Sequence, residues 1–323
     1  MDVPGDLPGD LAVALHEQMV VARTLDERLV ALQREGRVAQ HSSAAGEEGA
    51  VLGAVAALDD EDWVFPSARE FAAALWRGMP LAAYAQHVFG TALDASGGRN
   101  APDPPFWRAA RVASASPLLG TQIPHAVGLA WAARLRGERA VALVFFGEGT
   151  TSTGDFHAGL NLAGVTRAPV IAVCRNNGWA ASLPATRQTA SPDFASKAVA
   201  YGLRGVTVDG GDALAVLLAV REARARAAAG EGGTLIEART GELGSGDPIE
   251  RMRSHLQARG LWRAEQAEGL EREVAGDVEA ALAAAASTAA PAVGSLVDHV
   301  YAEPPWHLRE QRAALERREG GPR

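Results

Sequence analysis

Residues 141–178 read VALVFFGEGTTSTGDFHAGLNLAGVTRAPVIAVCRNNG. Two short apolar runs, 141–146 and 170–174, flank a stretch with helical spacing over about 155–163. Unbroken apolar runs separated by a helix are the pattern of parallel strands covered on both faces. Each run ends in a polar cluster, Gly147-Glu148-Gly149-Thr150 after the first and Arg175-Asn176-Asn177-Gly178-Trp179 after the second. Ligands of open α/β sheets bind outside the carboxyl ends of strands, at a switch point. Gly147 and Gly149 carry no Cβ beside Glu148, so a ligand can come close to the main chain there. A carboxylate, a side-chain amide and main-chain carbonyls are hard oxygen donors. They suit Mg²⁺, which keeps water and phosphate oxygens among its ligands. The dinucleotide fingerprint Gly-x-Gly-x-x-Gly is not formed, because Gly147, Gly149 and Gly154 are spaced wrongly for it. Taken alone, Gly-Glu-Gly is a glycine-rich turn and Asn-Asn a turn signal. At two successive strand ends they make a far more specific constellation.

The pattern continues outward from this stretch. A small-residue helix is predicted over about 121–135, and later runs at 206–208 and 234–238 bracket a helix from Asp212 to about 229. Near the start, Leu11, Leu15, Met19, Ala22, Leu25, Leu29 and Leu32 recur at three- and four-residue steps. That spacing predicts an amphipathic helix over 11–35, stopped at Gly36. Helices are also expected over 46–58, 68–77 and 80–90, and again across 247–290, with a frayed, charged end from Glu316. Residues 94–106 carry Gly97, Gly98, Pro102, Pro104 and Pro105 and read as an irregular loop. The expected architecture is an α/β unit, a parallel sheet flanked by helices with helical extensions at both ends. Its parts are residues 1–45, 46–245 and 246–323, within one structural unit.

Composition narrows the function classes. The chain has 323 residues, 47% of them hydrophobic and 22% charged, which is ample for a large buried core. A net charge of −8 argues against a nucleic-acid binder. Cys174 is the single cysteine, so no disulfide framework can form within the chain. Lys197 is the single lysine, which removes lysine P-loops and nearly all Schiff-base chemistry. The first ten residues are acidic and turn-rich without a basic or apolar region, and no long apolar run follows. A cytoplasmic protein with no membrane contact is the expectation.

At this point the sequence resembles a known family. Gly147-Glu148-Gly149 followed by Asn176-Asn177 looks like the thiamine-diphosphate motif. The longer form, Phe-Gly-Glu-Gly, then Gly-Asp-x-His-Ala-Gly, then Cys-Arg-Asn-Asn-Gly from Phe146 to Gly178, is similar to the alpha subunit of branched-chain 2-oxo acid dehydrogenases. The segments 46–48, 62–66, 116–124, 208–210, 258–262 and 305–308 share the likeness, which covers most of the chain. The resemblance implies a thiamine-diphosphate-binding fold with Mg²⁺ held by Glu148, Asn177 and the carbonyl of Trp179. It implies that Arg69 and Arg175 grip the diphosphate, for which forked guanidinium groups are suited. It also places Gly147, Gly149, Thr150 and Leu118 at the cofactor. Ser116, Thr121 and Gln122 fall in a segment that also meets a monovalent cation. A beta subunit supplies the glutamate that activates the cofactor, in a heterotetramer of two alpha and two beta chains. A lipoyl acyltransferase is the ordinary acyl acceptor.

The departures from that family are as informative. Ala68 stands where a tyrosine precedes the phosphate arginine, and Pro104 stands near a family histidine. A second histidine-bearing loop, after 234–238, is shortened to Arg239-Thr240-Gly241-Glu242-Leu243-Gly244-Ser245-Gly246, and no histidine occurs between His157 and His255. Loss of a positioned acid or base costs roughly 10²–10⁴ in rate. His125, at the start of a helix, is the candidate replacement, with His41 a weaker one; His157 and Cys174 read as packing residues. Three outputs follow. They are a decarboxylating or carboligating variant, an ordinary branched-chain dehydrogenase component acylating lipoyl groups, and a non-catalytic cofactor-binding paralogue.

Overall fold

Helix α1 (Gly9–Arg34) begins the chain in the computed structural model, which describes residues 7–103, 106–114, 116–241, 246–298 and 300–319. Its leucines at 15, 25, 29 and 32 and Met19 are buried along one stripe, as their spacing requires. Helix α2 (Glu48–Val55) is buried at every residue. Strand β1 (Trp63–Phe65) follows, then α3 (Phe71–Trp76) and α4 (Leu81–Phe89). Helix α5 (Gln122–Leu135) leads into β2 (Ala142–Gly147), a tight turn at Glu148–Ser152, α6 (Gly154–Thr166) and β3 (Val170–Asn176). A two-stranded hairpin, β4 (Trp179–Ala180) with β5 (Leu183–Pro184), comes next. Strand β6 (Arg204–Asp209), α7 (Ala213–Ala228) and β7 (Thr234–Arg239) complete the sheet. Three helices close the chain: α8 (Pro248–Ala258), α9 (Ala264–Ala286) and α10 (Trp306–Glu319).

The five main strands are parallel in the order β1-β2-β3-β7-β6. Successive residues of a strand point to opposite faces. Val144, Phe146, Ala172 and Cys174 therefore form one apolar layer with Ile123 and Val127 of α5 and with Phe156 and Leu160 of α6. Leu143, Phe145, Ile171, Val173 and Ile236 form the other with α2 and α7. This is the parallel sheet flanked by helices that the sequence predicts. The differences lie at short or polar elements. Helices α2 and α3 are shorter than expected, β1 is an added edge strand, and Glu316 to Glu319 belong to α10.

Close approaches set how the layers sit. A methyl group on Gly53 would overlap the carbonyl oxygen of Ala213, and one on Gly49 would lie 2.8 Å from that of Gly210, so α2 rests directly on the start of α7. Asp212 caps α7, its Oδ1 accepting from the N–H groups of Leu214 and Ala215 at 3.1 Å each. Arg23 of α1 ties the helical layers together, pairing with Glu48 at 2.5 Å and Asp247 at 2.8 Å.

Strands β1, β2 and β3 step across the sheet in one direction, while β6 to β7 returns from the far edge. The reversal falls between β3 and β7, so the carboxyl ends of β2 and β3 stand beside a switch point. Among the described residues, no helix is long and apolar enough to cross a membrane.

Candidate functional site

The register of the sheet assembles the site. Gly147 of β2 lies opposite Arg175 of β3, which brings the two polar clusters side by side. A cleft of about 390 Å³ opens there. Its walls include Glu47, Ser67, Ala68, Arg69, Leu119, Gly147, Glu148, Gly149, Thr150, Arg175, Asn177 and Trp179. That volume falls within the range of small-ligand sites. A different hollow of about 220 Å³ lies between β6 and α7 at the sheet edge, away from the strand-end clusters.

Glu148 follows β2 directly and is buried to 2% exposure. Its Oε1 has no hydrogen-bond partner. Burial pushes its carboxyl up from the usual carboxylate range, with backbone N–H groups and Arg69 pulling the other way. A buried, unpartnered carboxylate oxygen on a cleft wall is costly unless a cation completes it. Gly149 is required beside it, since a Cβ there would lie 2.7 Å from that of Ala180.

The two asparagines divide the work. Asn176 is structural. Its Nδ2 donates to Glu237 of β7 at 2.8 Å, and its Oδ1 accepts from the N–H of Gly178 at 2.9 Å. Asn177 faces the cleft, and its Oδ1 accepts from the N–H of Trp179 at 3.0 Å, leaving a second lone pair on that oxygen. One carboxylate, one amide oxygen and main-chain carbonyls fit a hard cation that keeps ligand oxygens. No group of three or more His, Cys, Asp or Glu side chains able to hold a metal occurs among the described residues.

Both predicted arginines line the cleft, in different settings. The Arg69 side chain is 44% exposed, and its Nη1 donates to the carbonyl of Ser43 at 3.0 Å and stands 3.7 Å from Glu47. Arg175 is buried; its Nη1 pairs with Glu47, its Nη2 pairs with Glu70, and Nη2 also donates to Ser67 at 3.1 Å. Its Nε is buried without a partner. Sequence reasoning missed these carboxylates. Glu47 and Glu70 each directly precede a helix, α2 and α3. The sequence reading places Glu47 only within the family-like segment 46–48 and does not single out Glu70.

Two expected site residues fall outside the cleft wall. Leu118 is 68% exposed and does not line the cleft; the wall is made by Leu119. His125 is exposed on the first turn of α5 and is also outside the cleft wall, because the buried face of that turn is taken by Gln122 and Ile123. His41 is buried instead against Asp26, with Nε2 2.8 Å from Oδ1. His157 pairs with the hydroxyl of Tyr201. Cys174 is a buried free thiol whose pKa burial pushes up. Pro104 and residues 242–245, where the family histidines would fall, lie outside the described residues.

Comparison with known proteins gives the family. Residues 16–242 match the model of the family described as "Dehydrogenase E1 component". A pyruvate dehydrogenase E1 component subunit alpha of Staphylococcus aureus is 35% identical over 332 positions, covering 96% of this chain and 87% of that protein. A mitochondrial 2-oxoisovalerate dehydrogenase subunit alpha 2 of Arabidopsis thaliana is 35% identical over 324 positions, covering 94% of this chain and 69% of that protein. The chain therefore belongs to the dehydrogenase E1 component family, among the alpha subunits of thiamine-diphosphate-dependent 2-oxo acid dehydrogenases.

Proposed function

We propose that this chain holds Mg²⁺ and the diphosphate of thiamine diphosphate in the strand-end cleft, as the alpha subunit of an enzyme that decarboxylates 2-oxo acids. The observation that carries this reading is the unpartnered Oε1 of buried Glu148, on a wall shared with Asn177, Arg69 and Arg175. Glu148, the side-chain oxygen of Asn177 and the carbonyl of Trp179 would hold the metal. Arg69 and Arg175 would face the diphosphate, with Gly147, Gly149 and Thr150 letting it lie against the main chain. When bound, thiamine diphosphate supplies the nucleophilic carbon on which decarboxylation depends. This chain's part is to neutralise and orient the diphosphate end, and a beta subunit would bring the activating glutamate in a heterotetramer.

No histidine of the described chain lines the cleft. Together with the sequence at Pro104 and 239–246, this favours decarboxylation or carboligation over acylation of a lipoyl group. The relatives carry both pyruvate and 2-oxoisovalerate in their names, so both belong in the substrate scan. A monovalent cation is not included. The hydroxyl of Ser116 accepts from the N–H of Leu118, and that of Thr121 donates to the Leu118 carbonyl, each at 3.1 Å, so both serve their own turn. The test is co-expression with a beta subunit, calorimetric titration with Mg-thiamine diphosphate, and measurement of CO₂ and organic product from a series of 2-oxo acids. Cofactor binding with CO₂ release independent of lipoyl acceptor is expected. Absence of cofactor binding rejects the reading, and release that requires a lipoyl acyltransferase rejects the variant output.

A further inference from the structure

The proposed cleft has an internal competitor for its own phosphate grip, and the argument here rests on the diphosphate reading above. Arg175 is held from two sides by carboxylates that start two different helices, Glu47 before α2 and Glu70 before α3. Glu70 is fully buried and braced by Ser67, whose N–H donates to Oε2 at 2.5 Å and whose hydroxyl donates to Oε1 at 3.2 Å. Glu47 lines the cleft and also stands 3.7 Å from Arg69. The Glu47 side of Arg175 is thus the cleft side, and the Glu70 side is the interior. A phosphate reaching for Arg175 meets Glu47 at the same nitrogen.

Charge makes the conflict sharper. The groups facing this corner are Arg69, Arg175, Glu47, Glu70 and, across the cleft, Glu148. Fully ionised, they carry two positive and three negative charges, before a diphosphate adds more negative charge than one divalent cation removes. A like charge brought against a buried carboxylate favours its neutral form, and an uncompensated buried charge is costly. We propose that Glu47 is a positioning residue that holds the cleft side of Arg175 and yields it to an entering diphosphate, with one proton taken up from water by the Glu47–Glu70 pair. The proton adds to a carboxylate oxygen and no other bond changes. Burial pushes the Glu70 carboxyl up to about 7, and the touching Arg175 guanidinium pulls the other way, so a diphosphate that draws on Arg175 favours protonation of Glu70. The two touching carboxylates keep Arg175 the positive centre both anions seek.

The test is calorimetry on the full chain with a co-expressed beta subunit. Mg-thiamine diphosphate is titrated at about pH 8, where the cofactor is fully ionised, in two buffers of unlike ionisation enthalpy. The wild-type protein is expected to take up about one proton per cofactor bound. Glu47→Gln is expected to bind roughly tenfold more tightly, with the proton uptake abolished. Glu47→Asp, which keeps the charge, should keep the uptake. Wild-type binding with no net proton uptake overturns the proposal while leaving the cofactor site standing. So does a Glu47→Gln protein that binds more weakly yet still takes up the proton. Failure of every variant and the wild type to bind at any pH overturns the diphosphate reading itself.

Discussion

Glu148 shows most directly how a single side chain can trade stability for binding. Its Oε1 is buried without a donor, and its carboxyl is pushed up by burial, so the ionised group costs the fold free energy that a bound cation would return. Glu148→Gln keeps the shape and removes the charge. The ligand-free chain is expected to melt higher, by a few degrees for about 1 kcal/mol, while the rise produced by Mg-thiamine diphosphate disappears. Thermal melts with and without the cofactor check both halves, and a variant that keeps the full ligand-induced rise would remove Glu148 from the metal site. The identity of this residue was legible in the sequence because two glycines isolate it at a strand end. The caging of Arg175 was not. Glu47 and Glu70 meet one guanidinium only because the register of β2 with β3 and two helix starts converge there, and neither carries a local pattern that sets it apart.

Helix α2 illustrates the same contrast over a whole element. Strands β2, β3 and β7 were readable because unbroken apolar runs have few other destinations in an α/β chain. Strand β1 spans only three residues, so it carries too little periodicity to be seen. Helix α2 was expected from its apolar content, but its tight seating on α7 depends on two glycines that sequence alone leaves ambiguous. Gly53→Ala should cost on the order of 1–3 kcal/mol, since the methyl meets backbone and not a yielding side chain. Gly128→Ala in α5, where nothing lies within 4 Å of the new methyl, should instead stabilise by about 1 kcal/mol through helix propensity. Denaturant melts of the two variants should therefore move in opposite directions. Equal and small shifts would mean that α2 can slide off α7 at little cost.

The molecule as a whole joins its two ends through a buried histidine. His16 on α1 meets the ring of Trp262, between α8 and α9, edge-on at 4.9 Å, and its Nδ1 has no partner. Burial, with Arg253 nearby adding to the effect, lowers the His16 pKa to about 4 from the usual 6.5. The unfolded chain therefore binds this proton more readily than the folded one. The stability contributed by neutral His16 is fully present above about pH 6.5 and is lost as the pH falls toward about 4. Between pH 7 and pH 5 the loss should reach up to about 2 kcal/mol. Buried carboxyls pushed up by burial, Glu48 and Glu148 among them, act with the opposite sign as pH falls, so the wild-type profile is a sum of opposing slopes. Comparison with His16→Gln isolates one contribution. That variant cannot gain the charge, and its stability should hold level or rise between pH 7 and pH 5 where the wild type declines relative to it. Urea titrations at the two pH values give the difference directly. Parallel profiles for the two proteins would show that His16 finds a counter-charge or water in the folded state, and that the contact of α1 with the C-terminal helices is not the acid-sensitive seam of the fold.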